Sequence, residues 1–347
     1  MKRKLIVVLL IMASLLAVPA AALADEVPSF AFSTPLFGLA AAPDGSLLVA
    51  DAGAGIVELR NGQGSQVAAL PGVADIAPIG RGNMFALTGI GDWKLYRVSR
   101  GGIQQIADLL AFETNVNPDR GEIDSNPFDV AALSGTKALV ADAGGNALLI
   151  VDQHGNVDWV ATLPDQSVPT DHIKALVGCP TDNPNLAFVC GLPPMMDAQP
   201  VATSIAVGPD GAYYVGELTG FPGPVGESRV WRIEPGTLHA RCGSSPACSV
   251  VADGFTSIVD LAFGPDGTLY VDEYDEAGFI AVELAFMGLP GLTVGGTVNA
   301  CDVSSGSCSE VAGGLMLPIA VAVDKSGTVY AAIASLLPGA AQVIALP

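Results

Sequence analysis

Two sets of side chains recur at fixed distances from a repeated glycine. Six or seven residues beyond Gly45, Gly82, Gly135, Gly211, Gly267 and Gly327 stand Asp51, Thr88, Asp142, Glu217, Glu273 and Ile333, four of them carboxylates. The same distances ahead of those glycines stand Gly38, Asp75, Asp129, Ser204, Asp260 and Ala320, three of them carboxylates. Acids gathered in one place repel each other, so some must keep their protons or a cation must lie among them. Calcium is the natural candidate, because it takes six to eight oxygen ligands from carboxylates, amides and carbonyls. On that reading Asp51, Asp142, Glu217 and Glu273 are the metal-ligand candidates. Asp129 and Asp260 are ligand-binding candidates, joined by Asp124 and Asn126 of the segment Glu122-Ile-Asp-Ser-Asn126. The competing reading is local, since an Asp in an Asp-Ala-Gly phrase often accepts hydrogen bonds from its own loop.

Other chemistries find less support. No Gly-x-Ser-x-Gly elbow occurs, and His154, His172 and His239 fall in neither a triad nor a metal-ligand spacing. No phosphate-binding loop or dinucleotide fingerprint follows a strand pattern. The chain has 347 residues, 15 Lys+Arg and 35 Asp+Glu, a net charge of −20. Such a surface repels a phosphate backbone, which excludes nucleic acid as a partner.

The elements that carry the acids are hairpins. The phrase Leu39-Ala-Ala-Ala-Pro-Asp-Gly-Ser-Leu-Leu-Val-Ala-Asp51 returns as Ile205 to Glu217 and as Leu261 to Glu273. Looser copies run from Asp75 to Thr88, Asp129 to Asp142 and Ala320 to Ile333. Each is an apolar strand, a tight Gly-bearing turn and a second apolar strand. Third and fourth strands follow most copies, as in Gly55-Ile-Val-Glu-Leu-Arg60 and Gln66-Val-Ala-Ala-Leu70. Six such units predict an all-β, six-bladed β-propeller. In a hairpin the start of one strand lies beside the end of the next, so both acid sets are expected at one end of the ring. Insertions at residues 115–126, 164–203, 220–228 and 277–296 account for the uneven repeat spacing. The chain ends on a third strand, so Ser29-Phe-Ala-Phe-Ser33 is expected to supply the last blade's outer strand and close the ring. Trp93, Trp159 and Trp231 are expected in third or fourth strands, packing between blades.

Residues 1–24 read as a secretory signal: Lys2, Arg3 and Lys4, an apolar run from Leu5 to Val18, and Ala22-Leu-Ala24 before the cleavage point. Residues 25–347 are then expected to form one propeller domain with no membrane span. Six cysteines agree with an oxidising compartment, secreted, periplasmic or in the cell envelope. They permit many pairings. The economical one joins near neighbours: Cys179 with Cys190, Cys242 with Cys248 and Cys301 with Cys308.

The three Pro-Asp-Gly hairpins, Val140-Ala-Asp-Ala-Gly-Gly-Asn146, Lys94-Leu-Tyr-Arg-Val-Ser-Arg-Gly101, Gly121-Glu-Ile-Asp-Ser-Asn-Pro127 and Glu217-Leu-Thr-Gly-Phe-Pro222 together resemble the ScyD/ScyE family of exported propeller proteins. That resemblance implies a secreted or periplasmic six-bladed propeller without an established activity. The cysteine-bearing insertions and the last copy, which ends on Ala331-Ala-Ile-Ala334, depart from the pattern. The function expected from the residues is binding or scaffolding around an acidic, cation-competent channel, with a small molecule or protein at its face. The alternative is a hydrolase resembling the calcium lactonases, with Asp142, Glu217, Glu273 and Asn126 on the cation and Asp51 or Asp260 as base. That class commonly adds a histidine base, which tips the reading toward binding.

Overall fold

A computed structural model describes residues 32–80, 82–89 and 91–347. The expected signal segment lies outside the described residues, as do residues 29–31 of the expected closing strand. Among the described residues six small sheets form a ring, each built on an antiparallel run wound outward in sequence order from an innermost strand, and a separate two-stranded sheet pairs Gln166–Pro169 with Met195–Ala198. The innermost strands are Leu36–Ala41, Val73–Gly80, Pro127–Ser134, Ala202–Val207, Ile258–Phe263 and Ala320–Val323. Each contacts the next, and the sixth contacts the first, so the ring of a six-bladed β-propeller is closed at its centre.

The three Pro-Asp-Gly phrases turn as their residues require. Gly45 sits at φ 89° and Gly267 at φ 89°, conformations open to glycine and costly elsewhere. The second strands are buried along nearly their whole length, because blades cover both of their faces. Blade 6 has three strands among the described residues. Beside its last strand, Gln342–Ala345, the Phe32 N–H donates to the Ala341 carbonyl at 3.1 Å.

Blade 3 gains a fifth strand from its neighbour. Ala240–Arg241, in the long connection within blade 4, pairs parallel with Val157–Thr162 and ties the two blades together. The disulfide Cys242–Cys248 closes that same connection, Cys301–Cys308 closes the outer hairpin of blade 5, and Cys179–Cys190 closes the insertion before blade 4. Trp159 and Trp231 lie in strands, whereas Trp93 sits in the turn just ahead of Lys94–Ser99 at φ 50°. The expectation for Trp93 is corrected by that turn, where its positive φ lies outside the extended region that strand residues adopt.

Three helices stand in the insertions: α1 (Leu109–Val116), α2 (Asp171–Val177) and α3 (Phe279–Phe286). Ile173 and Val177 of α2 and Phe279, Ile280 and Val282 of α3 share one hydrophobic cluster with Leu36, Val259 and Ile319. Those three lie at or just before the starts of innermost strands, so α2 and α3 pack over that end of the ring. Leu192 and Phe221, from the segments Leu192-Pro-Pro-Met-Met196 and Phe221-Pro-Gly-Pro224, pack against the same cluster. Among the described residues no helix is long and apolar enough to cross a membrane.

Candidate functional site

Pairing register puts both acid sets at one end. Asp51 opposes Leu36, Thr88 opposes Val73, Asp142 opposes Pro127, Glu217 opposes Ala202 and Glu273 opposes Ile258. In five blades a β-bulge follows immediately, separating that pair from the one holding Gly38, Asp75, Asp129, Ser204 or Asp260. A bulge inserts an extra residue and re-aims the side chains beyond it. The bulge therefore delivers the second acid set to the ring's axis.

Asp75, Asp129 and Asp260 form the inner end of a channel of about 320 Å³. The other lining residues are backbone and apolar side chains of the six innermost strands, running toward the hairpin turns as far as Ala41, Pro78, Ala132, Val207, Phe263 and Val323. Each Asp reaches out of its blade to the next innermost strand. Asp75 Oδ2 accepts the Val130 N–H at 2.9 Å, Asp129 Oδ2 the Ile205 N–H at 2.6 Å, and Asp260 Oδ2 the Val321 N–H at 2.7 Å. Gly38 makes room for this arrangement, since a Cβ there would fall 2.2 Å from Asp75 Oδ1. Burial pushes Asp75 well above the usual carboxylate range, with Asp129 adding to the effect. Burial likewise raises Asp129, against its contact with Asp75 and the N–H groups it accepts. Asp260 is also pushed well up, first by burial and then by the Asp129 charge.

The four second-strand acids are each engaged within their own blade. Asp51 accepts from the Thr34 hydroxyl and from the N–H groups of Gly53 (3.0 Å) and Ala54 (2.7 Å). Asp142 accepts from Ser125 Oγ and Asn126 N, both at 2.7 Å, and from Gly144 and Gly145. Glu217 is fully buried, paired with Arg229 and accepting the Trp231 indole N–H at 2.8 Å. Burial raises it, and Arg229 and Trp231 oppose that rise. Glu273 accepts from the Thr256 N–H, Thr297 Oγ1 (2.8 Å) and Asn299 Nδ2 (2.5 Å). Among the described residues no three of His, Cys, Asp and Glu are grouped to hold a metal ion. The strand ends share a face of the ring, but the structure does not bring these four carboxylates together. Asp124 is exposed on its loop, while Asn126 serves Asp142 through its backbone N–H.

Two features escaped the sequence pattern. A second cavity of about 390 Å³, lined by Asp253, Glu273, Glu276, Thr297, Asn299 and Glu310, lies on blade 5. There the Thr297 hydroxyl is 2.8 Å from Glu273 Oε2 and 2.7 Å from Glu276 Oε1. One hydroxyl has one proton to give, so Thr297 can donate to only one of the two carboxyl groups at a time. Burial pushes Glu273 up to about 7. The other feature is Asp272, fully buried, whose two carboxyl oxygens have no hydrogen-bond partner among the described residues. Burial, with Glu273 beside it, pushes Asp272 well up. The signal was present in the register: Ala50, Leu87, Ala141, Gly216 and Ala332 hold the equivalent place elsewhere.

No family model matches the chain, and no curated protein does. Solved structures do. A gluconolactonase from Xanthomonas campestris is similar over 91% of this chain and 87% of its own, with 13% identity and a TM-score of 0.56. A putative glucose dehydrogenase from Thermus thermophilus matches 90% of this chain and 97% of its own, at 16% identity and TM-score 0.54. A calcium structure of a Trichoderma reesei protein of carbohydrate-active family AA12 matches 90% and 93%, at 11% identity and TM-score 0.52. At these identities the likeness is one of fold, and it agrees with the six-bladed ring.

Calcium, which that last structure contains, was tested against the residues on the axis. Each of the three channel carboxyls already accepts an N–H of the neighbouring innermost strand, and among the described residues they form no metal-holding group. They do not fit a shell of six to eight converging oxygens.

Proposed function

We propose that this protein is an exported binding propeller whose channel takes a small molecule with an apolar body and a cationic, ammonium-type head. The head meets Asp75, Asp129 and Asp260, and the body lies along the apolar strand faces toward the hairpin end. The reading rests on one observation: three same-register carboxyls stand at the inner end of a channel whose other lining side chains are apolar. Buried acids that repel and share protons gain most from a bound positive charge, which can take a proton's place. The apolar walls supply affinity in proportion to the area they cover. Export is supported by three disulfides, which persist in oxidising compartments. Residues 25–347 are taken as one unit around this channel.

The test is calorimetry with n-hexylammonium, n-hexanol and hexanoate on the purified protein. The proposal expects the ammonium to bind with a Kd on the order of millimolar or tighter. It expects the alcohol to bind weakly and the carboxylate not at all. Asp75→Asn with Asp129→Asn should weaken the ammonium about tenfold or more. Equal affinity for ammonium and alcohol would overturn the reading. Turnover of a small lactone by the same preparation would replace it with the hydrolase alternative.

A further inference from the structure

Helix α1 ends just before blade 3, and its last turn carries two acceptor oxygens with nothing to accept. Glu113 is 2% exposed, yet its Oε1 has no hydrogen-bond partner among the described residues. The same holds for the buried Oδ1 of Asn117, one helical turn further on. Buried polar atoms nearly always find a partner, so two such atoms on one short helix require a cause. The amide oxygen is an acceptor, and so is the carboxylate form of Glu113, which burial and the charges of Asp119, Asp142 and Asp124 push up to about 7; what the two lack is a donor or a cation.

The surroundings decide between the two. A Cβ at Gly145 would lie 3.2 Å from Glu113 Oε2, 3.5 Å from Asp142 Cγ and 3.7 Å from the Asp124 carbonyl oxygen. The Glu113 carboxyl therefore faces Gly145 alongside the Asp142 carboxyl group and the Asp124 carbonyl. Asp119 sits on the same loop, its carboxylate held by the Gly121 N–H at 2.8 Å and by Asn146 Nδ2 at 3.0 Å. Arg241 comes near, but its Nη2 donates to the Pro118 carbonyl at 3.0 Å. The Asn117 N–H closes the helix onto the Glu113 carbonyl at 2.9 Å, and a helix C-terminus adds negative potential. Asp142 already accepts four hydrogen bonds, so it supplies charge here rather than a free ligand atom.

We propose that the pocket beside Gly145 is a divalent-cation site, with Glu113 Oε1 and Asn117 Oδ1 as side-chain ligands and the Asp124 carbonyl as a backbone ligand. One carboxylate, one amide and one carbonyl make an oxygen-only set. Calcium accepts such mixtures and completes its shell with water, whereas magnesium demands a stricter octahedron. The bound ion would fasten α1 and the 117–126 segment to blade 3. The site lies off the channel and does not depend on what the channel binds.

The experiment titrates CaCl2, with MgCl2 in parallel, into chelator-treated full-length protein by calorimetry at fixed ionic strength. One equivalent of calcium is expected to bind, with magnesium at least tenfold weaker. Glu113→Gln should lower calcium affinity tenfold or more. Gly145→Ala puts a methyl group into the pocket at a backbone position outside the positive-φ set, and should lower affinity about as much without removing a ligand. Asp75→Asn with Asp129→Asn should leave calcium binding unchanged while weakening n-hexylammonium about tenfold or more, which separates this site from the channel. Absence of calcium binding in the parent protein would overturn the proposal. Unchanged affinity in Gly145→Ala would overturn it too, and that measurement stands even if Glu113→Gln fails to fold.

Discussion

Asp260 and Asp272 are register partners on the two inner strands of blade 5, two carboxyl groups set side by side. In the other blades that pair is Gly38 with Ala50, Asp75 with Leu87, Asp129 with Ala141, Ser204 with Gly216 and Ala320 with Ala332. Like charges directly opposed in a sheet are unfavourable, and burial makes them more so. Burial pushes both carboxyls well above the usual range, with the charge of Asp129 adding to it for Asp260 and that of Glu273 for Asp272.

Asp272→Ala is therefore expected to stabilise the protein. The variant adopts the residue found at the matching place in blades 1, 3 and 6 and removes two unpartnered buried oxygens. Urea unfolding at about pH 8 should show a gain on the order of 1–3 kcal/mol. A loss of similar size would mean that Asp272 has a partner it needs.

Stability should fall as pH rises. A carboxyl whose folded pKa exceeds its unfolded value contributes stability that is fully present below the unfolded value, about 4. That stability is lost as pH rises through the folded value. Glu273 places one such loss between there and about 7. Asp75, Asp260 and Asp272, pushed well above the usual range, extend it further. Urea midpoints should decline steadily from about pH 5 to about pH 8.5. Glu273→Gln should flatten the lower part of that decline. A midpoint that climbs over this interval would contradict the burial argument.

The ties between innermost strands need an acceptor more than a charge. Asp75→Asn keeps an oxygen for the Val130 N–H and resembles a protonated Asp75. It should unfold close to the parent. Asp75→Ala leaves that N–H unpaired and should cost about 1–3 kcal/mol. Equal damage from both variants would show that the ionised form is required.

Arg229→Met should be among the more damaging single changes in blade 4. It strands the carboxylate of Glu217, which is fully buried, with the Trp231 indole as its remaining side-chain donor. Breaking one side of a buried ion pair costs about 3–5 kcal/mol. Because burial raises Glu217, the loss should shrink at lower pH, where that carboxyl is protonated. A pH-independent loss would point to packing of the Arg229 guanidinium on Trp231, 5.1 Å from the ring centroid.

The ring itself was legible because Asp-Gly turns, apolar strands and strand-end acids repeat in phase. Even the loose copies with turns at Gly82 and Gly135 lie in the second and third blades. The three disulfides followed from the spacing of near neighbours. What spacing could not give was direction. Asp75, Asp129 and Asp260 share a strand position with Gly38 and Ser204, but only the bulge shows that they face the axis. Asp51 and Asp142 share a phase with Glu217 and Glu273, yet each side chain is drawn into its own loop by local N–H and hydroxyl donors. The Glu113 pocket was invisible from the repeat, because α1 belongs to an insertion and its neighbours Asp124 and Gly145 come from elsewhere in the chain.

Binding in the channel should be linked to protons. A cationic head displaces protons from the Asp75 and Asp129 pair, so n-hexylammonium should bind more tightly from about pH 6 to about pH 8.5. Calorimetry in buffers of different ionisation enthalpy should show proton release. Proton uptake on binding would contradict the assignment.

The most direct measurement is a crystal structure of the protein soaked with n-hexylammonium. The account predicts density in the channel, with the nitrogen within hydrogen-bond distance of Asp75, Asp129 or Asp260 and the chain running toward Phe263 and Val323. A well-diffracting soak with the channel unchanged, or with the ligand seated on the blade 5 cavity instead, would contradict it.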